Sequence, residues 1–274
     1  MGFCYLNGAI VDQAKALIPI HDLGLTRGYG IFDFFRTYNG KPFLIEEHLK
    51  RFRDSASRLR ITLKESDAEI KAVIEELITR NNLVDAGIRL VITGGKSSDG
   101  FSPGEPNFFI TAAQLPDYPE SCWSEGVEIM THEFLRVFPD IKSNNYLAAI
   151  EMQEERADRG AFDILYKYQG KILEMTRGNF FIFKGNTLIT AGHDILKGRT
   201  RNFIIELAKE SGFEVQERDL FSDELEDADE AFLTGTTKKL MPVVSIDGQK
   251  VGSGLVGENT NVLLAKFNAF VKAF

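Results

Sequence analysis

The sequence has few cysteines and no long apolar stretch. Only two cysteines occur among its 274 residues, Cys4 and Cys122, and they are far apart in the chain. A disulfide framework is therefore not expected. We expect a reducing, cytoplasmic setting instead. No apolar run approaches the roughly 20 residues that span a bilayer, and residues 1–16 show no basic segment followed by an apolar core. We expect neither a membrane anchor nor a secretory signal.

Positive charge is also scarce relative to negative charge. With 32 basic and 40 acidic residues the net charge is −8, which disfavours nucleic acids and anionic membranes as whole-surface partners. The four histidines lack paired ligand spacing, so no metal site is expected. Ser143 and Ser253 lie in no Gly-x-Ser-x-Gly elbow, and Gly28-Tyr29-Gly30 lacks the third glycine of a dinucleotide fingerprint. Serine-hydrolase and nicotinamide or flavin sites are therefore discounted.

The first part of the chain has the pattern of a small α+β domain, predicted over residues 1–114. Apolar residues at helical spacing predict a helix over residues 45–60. Ser66-Asp67-Ala68-Glu69 matches a capping box, which predicts that a second helix begins there. Strands are predicted at 89–93 and 107–113, joined by a stretch rich in glycine, serine and aspartate.

A larger domain is predicted over residues 122–274, after a linker at 115–121 in which two prolines favour extended backbone. Many short strands are predicted beyond the linker. Helices are predicted among them at 146–159 and 200–211, and another closes the chain. This alternation indicates a barrel-like α/β domain, so the fold class is α/β.

Candidate catalytic groups lie mainly in this second part. Lys142 precedes a predicted helix, and a lysine amine becomes nucleophilic when burial or a nearby cation lowers its pKa. Glu174 follows a predicted strand, and a carboxylate there can keep a ring nitrogen protonated. Residues 196–201 open a helix whose first amides can bind phosphate. Residues 234–237 form a turn with hydroxyls. Read separately, each segment has an ordinary structural interpretation.

Taken together and in order, these segments resemble the class IV aminotransferases, the fold-type IV enzymes that use pyridoxal phosphate (PLP). That family includes branched-chain aminotransferases, D-amino-acid aminotransferases and aminodeoxychorismate lyases. The resemblance runs from about Asp22 to Val243. The matching segments are Asp22-Leu23-Gly24 with Gly28-Tyr29-Gly30-Ile31-Phe32-Asp33, Phe43-Leu44 with His48-Leu49-Lys50-Arg51, Lys142-Ser143-Asn144-Asn145, Glu174 with Asn179, Gly198-Arg199-Thr200-Arg201, and Thr234-Gly235-Thr236 before Pro242-Val243.

The resemblance implies roles around the cofactor ring. Lys142 would hold PLP as a Schiff base and, once released by substrate, move the proton from the substrate Cα. Glu174 would pair with the protonated pyridine nitrogen, and Tyr146 would hydrogen-bond the ring hydroxyl. The family also implies a small α/β domain, a larger barrel-like domain and a homodimer with the site near the interface.

The resemblance also implies a set of phosphate ligands. Arg51 would bind the phosphate together with the backbone amides of Arg199 and Thr200. Thr236 would add a hydroxyl, and Thr237 would supply an amide near the substrate. A dianionic phosphate needs several donors of this kind.

The substrate is indicated by what surrounds the expected pocket. Residues 97–101 lack the Arg-x-His carboxylate trap of Bacillus-type D-amino-acid aminotransferases, and Phe32 replaces their active-site tyrosine. Arg27, Arg89 and Arg177 fall near the expected pocket, and arginine binds carboxylates bidentately. This pattern resembles D-amino-acid transaminases that use arginines in place of the trap.

We therefore expect a D-amino-acid transaminase acting on D-glutamate or D-alanine with 2-oxoglutarate. Three alternatives stay open: a branched-chain L-amino-acid transaminase, an aminodeoxychorismate lyase, and a PLP-binding protein without turnover.

Overall fold

The computed structural model describes residues 2–274. The chain forms two compact units: one contains the chain up to Pro116 with Ile141–Asn145 and Phe274, and the other contains Asp117–Asp140 and Tyr146–Ala273. The change of unit after Pro116 falls within the segment predicted as a linker. The predicted division assigns Ile141–Asn145 to the domain 122–274, whereas in the structure these residues belong to the first unit.

Among its described residues, the first unit contains six strands and three α-helices. They are β1 (Phe3–Leu6), β2 (Ala9–Asp12), α1 (Leu23–Thr26), β3 (Gly30–Tyr38), β4 (Lys41–Pro42), α2 (Ile45–Arg58), α3 (Asp67–Arg80), β5 (Ala86–Thr93) and β6 (Phe108–Gln114).

Its strands form one antiparallel sheet in the order β2-β1-β6-β5-β3-β4. Helices α2 and α3 each pack an apolar face against the sheet. The core between them includes Phe35 of β3, Phe52 of α2 and Ile74 of α3. The helix predicted over 45–60 is confirmed as α2. The predicted capping box is confirmed as well, since Ser66 and Glu69 cap the start of α3 reciprocally.

The longest strand, β3, is not among the predicted strands. Its sequence carries aromatic side chains on both faces, with Phe35 in the core and Phe32 and Phe34 on the opposite face. An alternation of apolar and polar residues is therefore missing, and the two-residue period that identifies a half-buried strand is hidden.

The second unit contains ten strands and five α-helices. They are α4 (Ser121–Ser124), β7 (Val127–Glu133), α5 (Leu147–Glu151), α6 (Gln153–Asp158), β8 (Asp163–Tyr168), β9 (Lys171–Met175), β10 (Gly178–Lys184), β11 (Thr187–Ala191), α7 (Arg199–Glu210), β12 (Glu214–Arg218), β13 (Leu220–Phe221), β14 (Glu230–Gly235), β15 (Lys239–Ile246), β16 (Gln249–Lys250) and α8 (Glu258–Ala273).

Six of these strands close into a barrel. They follow the order β10-β14-β15-β7-β8-β9, and β9 pairs back to β10 through Met175 with Gly178 and Glu174 with Asn179. Phe180, Leu233 and Met241 lie opposite one another on β10, β14 and β15, and they share one buried core. The predicted barrel-like α/β fold is confirmed. Among residues 2–274, no helix is both long and apolar enough to cross a membrane.

The helix predicted over 146–159 is wrong in one respect, because two short helices, α5 and α6, take its place. They meet at Met152, whose ψ of 0° lies far from the helical value of about −42°. The Met152 side chain is buried in a core cluster with Ile164 and Tyr166. Burial of this side chain accompanies the interruption, which residue spacing alone does not predict.

Candidate active site

Lys142 lies on a short segment that pairs with β3. The Phe32 amide donates to the Lys142 carbonyl at 2.9 Å, and the Asn144 amide donates to the Gly30 carbonyl at 3.0 Å. Ile141 is 2% exposed and belongs to the core of the first unit. Because successive residues of an extended segment point to opposite sides, Lys142 is directed away from that core.

The Lys142 side chain lies against the ring of Phe32. Its Nζ is 4.5 Å from the ring centroid, within the range of a cation–π contact. The guanidinium carbon of Arg89 lies 5.3 Å from the same centroid, and Arg89 is opposite Phe34 on the neighbouring strand β5. Two of the four predicted residues of this unit, Lys142 and Arg89, are therefore brought together by one aromatic side chain.

Arg51, a predicted phosphate ligand, is buried on α2 beside Asp33. Its Nε donates to Asp33 Oδ2 at 2.8 Å and its Nη2 donates to Oδ1 at 2.7 Å. His48 Nδ1 is also 2.7 Å from Asp33 Oδ1. Burial alone would raise the pKa of Asp33, but Arg51 and His48 outweigh it and hold that pKa well below its usual value. The carboxylate thus fixes Arg51, which leaves Nη1 as the nitrogen outside this pairing.

Arg27, the fourth predicted residue of the first unit, contacts a different ring. Its guanidinium carbon lies 5.3 Å from the centroid of Phe101, which is 79% exposed. Asp99 organises the loop that carries Phe101, because its carboxylate accepts from the amides of Phe101 and Ser102. The contacts of Arg27 therefore place it with this loop and not at the Phe32 ring.

Glu174 is buried in the second unit, where both of its carboxylate oxygens accept hydrogen bonds. Oε1 accepts from Arg136 Nη1 at 2.9 Å, and Oε2 accepts from the Leu196 amide at 3.1 Å. A buried carboxylate needs such partners to remain charged. Glu174 is therefore held in place as a buried, fixed negative charge.

Arg136, which is not among the predicted site residues, pairs with Glu174. It ties the loop after β7 to β9, and it also donates to the Pro139 carbonyl at 3.1 Å. Thirty-eight positions separate Arg136 from Glu174, and no spacing rule connects residues so far apart. Its only signal was its position a few residues before Lys142.

Asn179 builds the loop that leads into α7. Its side-chain nitrogen donates to the Leu196 carbonyl at 2.8 Å, and its side-chain oxygen accepts from the Gly198 amide at 3.2 Å. A Cβ at Gly198 would lie 2.4 Å from that oxygen, which explains the glycine. No side chain caps α7 at Gly198, so the first amides of the helix, at Arg199 and Thr200, suit an anion.

Thr236 and Thr237 lie in the turn between β14 and β15, where both are half-buried. Arg177 lies in the turn between β9 and β10 and is exposed. A Cβ at Gly235 would lie 3.1 Å from the Arg177 carbonyl, so these two turns are in contact. Tyr146 is half-buried at the start of α5, beside the buried Tyr166, whose pKa is raised first by burial and then by Tyr146.

The groups of each unit fit parts of pyridoxal phosphate. The first unit supplies an amine over an aromatic ring and a buried arginine. The second supplies a fixed carboxylate, the first amides of α7 and threonine hydroxyls. When bound, PLP supplies an aldehyde carbon for the amino group and a pyridine ring that withdraws electrons from the substrate.

Comparison with known proteins decides the family. The model of the amino-transferase class IV family matches residues 30–246. The chain belongs to this family. It is a PLP-dependent aminotransferase, and its substrates are small amino and oxo acids.

Curated relatives of this aminotransferase carry two kinds of name. A putative branched-chain-amino-acid aminotransferase of Methanocaldococcus jannaschii is 38% identical, over 96% of this chain and 94% of the relative. A D-alanine aminotransferase of Bacillus licheniformis is 34% identical, over 97% of this chain and 96% of the relative.

Solved structures agree with the fold. Branched-chain amino acid aminotransferase of Escherichia coli has a TM-score of 0.92 at 29% identity, covering 98% of this chain and 94% of that one. The T.th. branched-chain amino acid aminotransferase with pyridoxamine 5'-phosphate has a TM-score of 0.91 at 27% identity, covering 99% and 94%. Fold-type IV is thereby confirmed for this aminotransferase.

Proposed function

We propose that this aminotransferase moves the amino group of a D-amino acid, D-glutamate or D-alanine, to a 2-oxo acid such as 2-oxoglutarate. The observation that carries the proposal is the shared contact of Lys142 and Arg89 with the Phe32 ring. The Lys142 amine, which would handle the substrate Cα proton, contacts the Phe32 ring. The Arg89 guanidinium, which could bind the substrate carboxylate, contacts the same ring.

Residues of the first unit would act on the reacting atoms. Nζ of Lys142 would take the proton from the substrate Cα and return a proton on the cofactor side. Arg89 would bind the α-carboxylate in two hydrogen bonds and thereby orient the Cα–H bond. The Phe32 ring would hold the Lys142 and Arg89 side chains in place and exclude water from one side of the site.

Residues of the second unit would hold the cofactor. Glu174, fixed by Arg136 and the Leu196 amide, would keep the pyridine nitrogen protonated. The amides of Arg199 and Thr200 and the Thr236 hydroxyl would be phosphate ligands. Arg51, in the first unit, is likewise proposed as a phosphate ligand. Tyr146 would hydrogen-bond the ring hydroxyl.

Recognition of a second carboxylate would fall to Arg177, with the Thr237 amide as a neutral donor beside it. Arg177 is exposed in a turn that contacts the turn of Thr236 and Thr237. An arginine there favours a dicarboxylic substrate such as D-glutamate or 2-oxoglutarate. We propose Arg27 as a further carboxylate ligand that reaches substrate from the Phe101 loop.

A branched-chain L-amino-acid transaminase is the second candidate. The name of the Methanocaldococcus jannaschii relative, at 38% identity, favours it. The name of the Bacillus licheniformis relative, at 34%, favours D-alanine. These two identities differ by little. The proposal of a D-amino acid substrate therefore rests on Arg27, Arg89 and Arg177.

A half-reaction panel tests the proposal. The PLP form of the enzyme is mixed with D-glutamate, D-alanine, L-leucine, L-glutamate or an (R)-arylamine, and bleaching of the PLP absorbance and release of the oxo acid are followed. We expect both D-amino acids to react fastest. Conversion by L-leucine without conversion by D-glutamate would refute the D-amino-acid proposal and support the branched-chain candidate.

A homodimer is also proposed. The first unit exposes several large apolar side chains, including Leu17, Ile20, Leu25 and Phe101, and their burial in an interface would favour association. Light scattering of the purified protein tests the assembly: a mass of one chain at micromolar concentration would contradict it. The cytoplasmic location stays a prediction.

A further inference from the structure

A buried ion pair in the second unit is not used by the groups described so far. Asp163 begins β8, and Lys238 lies between β14 and β15; each is 2% exposed. The Lys238 ammonium donates to Asp163 Oδ2. Burial alone would raise the pKa of Asp163, but Lys238 outweighs burial and lowers it. The two side chains therefore form a charged pair inside the protein.

The other oxygen of Asp163 holds the turn that carries Arg177. Asp163 Oδ1 accepts from the Thr176 hydroxyl and from the Ile164 amide, the latter at 2.8 Å. The Thr176 amide also donates to the Ile164 carbonyl at 3.0 Å. Thr176 directly precedes Arg177, so the carboxylate fixes the backbone from which Arg177 projects.

Lys238 comes from the turn that carries Thr236 and Thr237. A Cβ at Gly235 would lie 3.6 Å from Lys238 Cδ and 3.1 Å from the Arg177 carbonyl, so the lysine stem passes where the two turns meet. The Lys238 carbonyl accepts from Trp123 Nε1 at 3.2 Å. One lysine thus links the Thr236 turn, through Asp163, to the Thr176 hydroxyl.

A pair of this kind is poorly explained by stability alone. Replacing a buried ion pair with apolar side chains of similar size is often neutral or stabilising, because the pair loses hydration when it is buried. What a charged pair adds is a defined geometry between the segments that carry it.

We propose that Asp163 and Lys238 are positioning residues that hold the Arg177 turn in register with the Thr236–Thr237 turn. Substrate carboxylate and cofactor phosphate then meet one rigid surface. The inference rests on the proposed function of Arg177 and Thr236.

The test uses the holoenzyme with Lys238→Met, which keeps the apolar stem and removes the charge. We expect KM for D-glutamate to rise about tenfold, the size of a lost charged hydrogen bond. KM for D-alanine and kcat should each change less than threefold. PLP should be lost severalfold faster on gel filtration, because the Thr236 turn is no longer held.

Arg218→Met is the matched control. It removes the Arg218–Glu224 ion pair of the same unit, which is distant in sequence from both turns and bonded to neither. It should leave KM and PLP retention unchanged. A Lys238→Met enzyme that matches Arg218→Met in both respects would overturn the proposal, even if both variants melt earlier than the wild type.

Thr176→Val provides a second test if Lys238→Met does not fold. It removes one hydroxyl hydrogen bond and should shift KM for D-glutamate and PLP loss in the same direction, whereas Thr176→Ser should restore both. No shift in Thr176→Val would overturn the proposal. A wild type that converts L-leucine but not D-glutamate would instead refute the proposed substrate, and PLP loss would still decide the positioning role.

Discussion

Lys142 and Glu174 belong to different compact units, and their surroundings differ in kind. Lys142 is half-buried, with its amine against the face of an aromatic ring. Glu174 is 5% exposed, and its two oxygens accept from Arg136 and the Leu196 amide. An amine that must be released and then move a proton needs freedom to change position, whereas a carboxylate that holds a ring needs none. The difference matches the two proposed roles.

The largest effect is expected from removing the amine. Lys142→Ala should lower kcat by about 10³-fold or more, because both the covalent link to the cofactor and the proton carrier are lost. Steady-state transamination measures this loss. Lys184→Ala, at an exposed lysine paired with Asp227, is the control and should be near wild type. Near wild-type turnover by Lys142→Ala would refute its role.

The fixed carboxylate of the first unit provides a stability test. Asp33→Asn should lower the free energy of unfolding by about 3–5 kcal/mol, because Arg51 is left buried without its counter-charge. In the folded protein the pKa of Asp33 is lowered from its ordinary value of 3.8. Its contribution to the free energy of unfolding is therefore fully present well above pH 3.8, and it declines as the pH falls from there towards the folded pKa.

Denaturant unfolding of the wild type and Asp33→Asn between pH 6 and pH 3 measures this dependence. The difference between the two proteins should be largest at pH 6 and should shrink below about pH 3.8. A difference that grows towards pH 3 would contradict the ionised pairing of Asp33.

For Glu174, the buried carboxylate of the second unit, the expected effect is on kcat. Glu174→Gln should lower kcat by about 10²-fold, since an amide cannot keep the pyridine nitrogen protonated. PLP should still bind through its phosphate contacts. Glu174→Asp should recover part of the lost kcat. A kcat of Glu174→Gln within twofold of wild type would show that Glu174 does not act on the pyridine nitrogen.

Arg136→Met tests whether fixing Glu174 matters. A hydrogen bond to a charged group is worth about 1.5–3 kcal/mol, so kcat should fall by about tenfold or somewhat more. Arg136→Lys should lose less, because it keeps the charge. If Arg136→Met changes only the melting temperature, the pair is structural.

The smallest expected effect concerns substrate choice. Arg177→Ala should raise KM for D-glutamate by about tenfold and leave KM for D-alanine nearly unchanged, because only the dicarboxylate has a second anionic group. Initial rates with both substrates measure this ratio. Equal effects would show that Arg177 does not bind the distal carboxylate.

Local signals in the sequence predicted the local structure well. The capping box at Ser66 and the apolar stripe of residues 45–60 identified α3 and α2, because both depend on neighbours within a few positions. Strand β3 was not predicted because both of its faces carry aromatic side chains, which hides the two-residue period. The barrel was predicted as an architecture, but its closure through β9 and β10 depends on pairings that residue spacing does not encode.

The site shows the same division. Lys142 and Glu174 were predicted from the order of several short segments along the chain, which resembles that of a known family. Arg136 with Glu174, Asp33 with Arg51 and Lys238 with Asp163 were not, because each pair joins separate elements. Which carboxylate a cation meets is decided by the folded chain, and one sequence gives no pairing between distant positions.

The assignment of Lys142 as the cofactor lysine can be tested most directly by chemical trapping. Sodium borohydride makes the bond between PLP and its lysine permanent, and mass spectrometry of a tryptic digest then locates the modified residue. The expected result is PLP on the peptide that contains Lys142 and on no other. PLP on the buried Lys238, on any other lysine, or on none would contradict it.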